Sequence, residues 1–207
     1  MKERHIVGYT LLAAFIAFAI MFLLTRDIQT PENQAMPWQS YINDQDQTVV
    51  FDLTMGQSKL LDAARLFGTE IEASLFENEN VDPELEVYFS STKVGGISAR
   101  IILNLALNKQ NIDILRDNID VSMMMPSGVK KTTFKAKAES LMSRFTIKSL
   151  TFIPRADLPE NVVIDLFGKP DRVDLSDQGI SYWHYPEKGL KIIMDDEQKD
   201  ILEFYNQ

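Results

Sequence analysis

Two histidines, His5 and His184, are the only side chains of this 207-residue chain that ordinarily titrate near neutral pH. The chain has no cysteine, which excludes disulfides, thiolate metal sites and a cysteine nucleophile. His184 stands within Tyr182-Trp-His-Tyr185, where strand alternation puts it on the face opposite Trp183 and Tyr185. A general base also needs a nucleophile nearby and a group that orients it. The sequence marks neither, so no catalytic residue is assigned. Asp195, Asp196, Glu197 and Asp200 offer oxygen ligands, yet they lack the central Gly and terminal Glu of a calcium loop. They read as a solvated turn. Gly56 and Gly95-Gly96 form neither a Walker sequence nor a dinucleotide fingerprint, and no cofactor or metal is expected. Met123-Met-Met125 before Pro126 reads first as core or loop packing, with an adaptable contact surface as the functional alternative.

What would position any such site begins with an apolar run. Ile6 to Leu24 is uncharged over 19 residues, and a helix of that length spans about 28 Å, close to a bilayer's hydrocarbon thickness. Lys2 and Arg4 precede it, and after Arg26 no basic residue occurs until Lys59. Positive flanks stay on the cytoplasmic side. Residues 1–5 are therefore expected to be a cytoplasmic tail, residues 6–24 a transmembrane anchor through the lipid bilayer, and the remainder periplasmic. A cleaved signal peptide is the alternative, but the bulky Met21-Phe-Leu-Leu24 stands where small residues should precede a cleavage site. The polar residues 25–48, with Pro31 and Pro37, read as a linker.

From Asp27 onward the chain carries 18 Lys and Arg against 29 Asp and Glu, a net charge of −11. That balance argues against nucleic-acid binding. The exception is local: Lys130, Lys131, Lys135, Lys137, Arg144 and Lys148 fall in a stretch whose only acid is Glu139. Phe134, Ala138, Leu141, Met142 and Phe145 recur there at helical spacing, predicting an amphipathic helix over 134–145. Its basic face is either simply solvated or a contact for an acidic partner or membrane surface.

The two halves repeat at an offset of one hundred residues. Leu66-Phe-Gly68 and Leu166-Phe-Gly168 each close an apolar-periodic segment with a glycine, and Pro170 stops the second. After Gly168, turn residues separate Arg172–Leu175, 180–185, Leu190–Met194 and Ile201–Tyr205, which predicts an antiparallel meander. The first half offers strands at 71–76, 85–90 and 97–107. The expected fold is therefore α+β: a transmembrane helix, then two small units of helices packed on antiparallel sheet. Residues 49–150 would be the first unit with its bridging basic helical segment, and 151–207 the second.

The C-terminal pattern Leu158-Pro-Glu-Asn-Val162, Leu166-Phe-Gly-Lys-Pro170, Tyr182-Trp-His-Tyr-Pro186 and Gly189-Leu190 resembles the SmpA/OmlA (BamE-like) envelope domains. A tandem pair of them resembles the β-lactamase-inhibitor-protein arrangement. The resemblance implies a non-catalytic protein-interaction role in a bacterial envelope, with an envelope protein as partner. Lipoprotein members carry a lipidated cysteine, which this chain replaces with an apolar run. Candidate contact residues are Lys130, Lys131, Lys137 and Arg144, with Tyr182, Trp183 and Tyr185. The competing readings are an envelope hydrolase using His184 and carboxylates, and a lipid- or cell-wall-sensing domain.

Overall fold

The computed structural model describes residues 35–79, 81–195 and 197–207. Ile6–Leu24, Lys2, Arg4 and residues 25–34 lie outside them, so the anchor and its topology signals are not placed. No helix of the described residues is long and apolar enough to cross a membrane.

The described part opens with a 3-10 turn at Pro37–Gln39 and a three-stranded sheet of β1 (Tyr41–Ile42), β2 (Thr48–Val50) and β3 (Leu53–Thr54). The expected linker is thus already packed from Pro37 onward, with Pro37, Ser40 and Thr48 buried. Polarity misled there because Thr48 is tied down from afar. Its hydroxyl donates to the Tyr205 carbonyl at 2.7 Å and its amide to Asn206 Oδ1 at 2.8 Å. Phe51 and Asp52 turn the chain between β2 and β3 with φ of 53° and 60°. A bulky residue rarely adopts that conformation. Its ring supplies the compensation, packing 5.6 Å from both Phe67 and Phe152 and 6.4 Å from Phe204.

Next come α1 (Leu60–Phe67), β4 (Glu72–Asn78), β5 (Val81–Val94), β6 (Ile97–Leu105), α2 (Lys109–Arg116), β7 (Ile119–Met124), β8 (Lys130–Phe134), α3 (Ala136–Met142) and β9 (Ile147–Pro154). The chain ends with α4 (Glu160–Phe167), β10 (Arg172–Leu175), β11 (Ser181–Tyr185), β12 (Leu190–Met194) and β13 (Ile201–Tyr205). The architecture is α+β, with four helices among the described residues and one large antiparallel sheet of ten strands, ordered β10-β11-β12-β13-β9-β6-β5-β4-β8-β7. The helix expected over 134–145 is shorter. Phe134 belongs to β8, and only Ala136–Met142 is helical, burying Ala138 and Met142.

Strand β9 joins the repeated halves, pairing Leu150 with Leu103 of β6 on one side and with Phe204 of β13 on the other. Because the join is continuous, α1 and α4 bury Phe67 and Phe167 in the same apolar cluster. Alternation sorts every strand into two faces. Leu75, Leu85, Leu105, Leu103, Leu150 and Phe204 point to the helix side and are buried. Each such side chain contributes about 1.5–3 kcal/mol, whereas an exposed ion pair contributes about 0–1 kcal/mol. The helix-side core, not surface charge, holds the sheet. No helix of the described residues packs on the opposite face.

Candidate functional site

That face, free of helices among the described residues, is a broad structured surface available for recognition. Cross-strand register lines up Arg172, His184, Lys191, Glu203, Thr151 and Ile102 across neighbouring strands. A second row runs from Tyr205 through Ser149, Asn104 and Glu86 to Ser74 and Thr133. Most of these residues are half-buried by one another and open to solvent above. The resulting surface is polar, mixed in charge and broad.

The aromatic candidates separate on this geometry. Tyr182 and His184 lie on the open face, whereas Trp183 and Tyr185 are only 5% and 3% exposed and belong to the core. Trp183 and Tyr185 are therefore withdrawn as contact residues. Alternation puts them on the side that α4 covers. The Tyr185 hydroxyl donates to the Gly168 carbonyl at 3.2 Å, and burial, with nearby Asp171 adding, raises its pKa to about 12.

His184 has partners that its sequence context did not mark. Its Nε2 lies 2.9 Å from Asp174 Oδ2, and Arg172 Nη2 reaches the same oxygen at 3.0 Å. Lys191, beside His184 on β12, pairs with Glu203 at 2.6 Å. Asp174 thus orients the imidazole and is one of the two partners a general base needs, the other being a nucleophile. Two clefts among the described residues lie elsewhere. One, of about 620 Å³, sits between α2 and the ends of β5 and β6, lined by Glu84, Asn104, Leu107, Ile112 and Arg116. The other, of about 720 Å³, sits where the β12–β13 turn meets the start of α4.

The acidic turn beside that second cleft has structural work. Asp200 is buried and accepts the Leu158 amide at 2.8 Å, and Asp195 accepts the Glu197 amide at 2.9 Å. Lys199 pairs with Asp157. Burial pushes the Asp200 carboxyl above its ordinary value. Asp196 lies outside the described residues, and among those described no group of three His, Asp or Glu is arranged to hold a metal ion. On the open face, burial also raises the Glu86 carboxyl, with Glu84 adding and Lys131 opposing.

The basic candidates do not form one patch. Lys130 pairs with Glu77 at 2.9 Å, and Lys131 sits 5.7 Å above the Phe76 ring on the open face. Lys137 and Arg144 are exposed on and after α3. Lys130 and Lys131 belong to β8, ahead of the expected helix, whereas Lys137 lies on α3. Core packing of Met123-Met-Met125 is also set aside, because these residues are 55%, 68% and 37% exposed. They end β7, an outer strand whose edge character no local pattern announced.

No protein-family model, no curated protein and no solved structure matches the chain.

Proposed function

We propose that this chain is a non-catalytic protein-interaction module of a bacterial envelope, held at the inner membrane by Ile6–Leu24 with residues 35–207 in the periplasm. The observation that carries the reading is the uncovered face of the ten-stranded sheet, whose other face takes all the helix packing. A sheet face of mixed charge suits a folded protein surface, because complementary charges set register and exclude wrong partners. The resemblance to SmpA/OmlA domains supports the same role. The lack of basic residues between Arg26 and Lys59 supports the orientation.

The test is position-specific crosslinking in intact cells. A photoreactive residue at Tyr182 or Ile102 on the open face should trap a discrete envelope protein, while one at Arg65 on α1 should not. Equal trapping from all three positions, or none from the first two, defeats the reading. Alkaline phosphatase fused after residue 34 should be active, and inactivity there would refute the orientation.

The Asp174–His184 hydrogen bond favours a second reading, an envelope hydrolase with His184 as general base. If it holds, purified protein hydrolyses an ester or cell-wall substrate and His184→Ala abolishes the activity. Turnover unchanged by that substitution removes it.

A further inference from the structure

The ten-stranded sheet ends in two strands that both expose apolar residues, Val173 and Leu175 on β10 among them, but that differ in length and charge. β10 has four residues and spends Arg172 and Asp174 on an ion pair at 3.0 Å that also holds His184. Short, charged edges resist further pairing. β7 has six residues, all exposed, and Ile119, Val121, Met123 and Met124 are large and apolar. Its one charged residue, Asp120, sits at the register shift between Ile119 and Val121. The outer backbone edge of β7 pairs with no described strand.

Asp120 is the one charge on β7 itself, Arg116 and Lys135 stand near its start, and Lys130 near its end is paired with Glu77 at 2.9 Å. Asp117 also lies at its start. Lys130 and Lys131 stand beside Met124 and Met123 at its end. Antiparallel pairing of this edge with itself sets Asp120 of each strand toward the Lys130–Lys131 end of the other. A two-fold interface demands this self-complementarity, since each contact occurs twice with the partners exchanged. A two-fold axis normal to the sheet also keeps the open face continuous. Side chains opposite one another must then share a face, and a pairing centred on Ser122 meets that condition by setting Val121 against the other copy's Met123. Ser122 is anchored for this position by a hydroxyl hydrogen bond to Thr132 at 2.9 Å.

We infer that β7 is a homodimerisation strand, pairing antiparallel with β7 of a second copy of this chain to form one sheet of twenty strands. The flexible thioethers of Met123 and Met124 fill the seam. The inference is independent of the partner proposed for the open face, which crosslinking from Tyr182 and Ile102 tests separately.

Sedimentation velocity of the full chain in a mild non-ionic detergent tests it, with hydrogen exchange locating the contact. Wild type should form a dimer in the micromolar range, and amides of residues 119–124 should gain protection as concentration rises. Met123→Lys, at an exposed position, should weaken the dimer about tenfold or more by setting a charge into an apolar seam. Asp117→Lys with Asp120→Lys, or Lys130→Glu with Lys131→Glu, should each weaken self-association about fivefold. Mixing those two double variants should restore pairing, because each then meets opposite charge in the other. A chain that remains monomeric into the millimolar range overturns the inference. So does a dimer indifferent to Met123→Lys and to both reversals, which would place association elsewhere. Growth past the dimer also overturns it, indicating head-to-tail pairing of β7 with β10.

Discussion

The segments ending at Gly68 and Gly168 follow one local pattern but are sealed by different means. Both helices bury a residue four positions before the terminal Phe, Ala63 in α1 and Val163 in α4, and both bury that Phe. Both then leave the helix through a glycine at φ 106°, ψ 170° or φ 85°, ψ −174°, a region essentially closed to other residues. Beyond this they diverge. Phe67 meets two rings edge-on, Phe51 at 5.6 Å and Phe89 at 5.7 Å, whereas Phe167 meets Tyr185 at 6.1 Å. The entrances differ as well. Asp62, on the first turn of α1, accepts the Lys59 amide at 2.8 Å. The segment entering α4 is held instead by Asp200, 42 residues away. Similar local sequence sets a similar helix, and distant residues decide how firmly each end is closed.

The sharpest way to break the comparison is truncation of the rings. Phe67→Ala should cost about 3–5 kcal/mol in denaturant unfolding, with Phe167→Ala at or below the lower end of that range. Equal losses would mean that the aromatic surroundings of Phe67 add nothing. Gly68→Ala and Gly168→Ala should each cost about 1–3 kcal/mol. A Cβ at either site meets nothing within 4 Å, so the penalty is conformational and D-alanine should recover it. Failure of D-alanine to recover stability would point to an unseen steric clash.

Tyr185→Phe should remove about 0.5–1.5 kcal/mol at neutral pH. It should also change the alkaline limb. The folded value of about 12 exceeds the unfolded value near 10, so the folded state holds this proton more tightly. Stability from this group is complete below pH 10 and declines between about 10 and 12. The Phe variant should lose that decline in urea titrations across the range.

Asp200 acts on the acid side. Its folded pKa is raised above the ordinary 3.8, so its stabilising contribution is complete below that value and is lost as pH rises through the raised one. Asp200→Asn should flatten that part of the stability profile in urea titrations across the range. The smallest effect belongs to Thr92, whose hydroxyl reaches the Phe67 carbonyl at a long 3.4 Å. Thr92→Val should cost less than Tyr185→Phe under the same conditions.

Much of the second half was legible. The segments read at Arg172–Leu175, Leu190–Met194 and Ile201–Tyr205 are strands with those limits, because turn residues bracket each one. Strand β9 was not legible, and the boundary expected at residue 150 cuts through it. Ile147–Pro154 is buried at Ile147, Leu150, Phe152 and Ile153. Its role as the seam of the sheet comes from β6 and β13, which lie far from it in sequence. Trp183 and Tyr185 were read correctly as sharing a side opposite His184, yet nothing local says which side helices cover. His184 lacked a visible partner because Asp174 reaches it only through the β10–β11 pairing.

Residue order alone determined the helix-and-glycine repeat, the alternation of the last four strands and the acidic surplus, since propensity, periodicity and charge act over a few neighbours. Tertiary structure alone decided that both halves share one sheet, that one face carries no helix among the described residues, and that an apolar edge falls at β7. Those outcomes depend on which distant strand supplies the next row of hydrogen bonds, and no short window of sequence carries that choice.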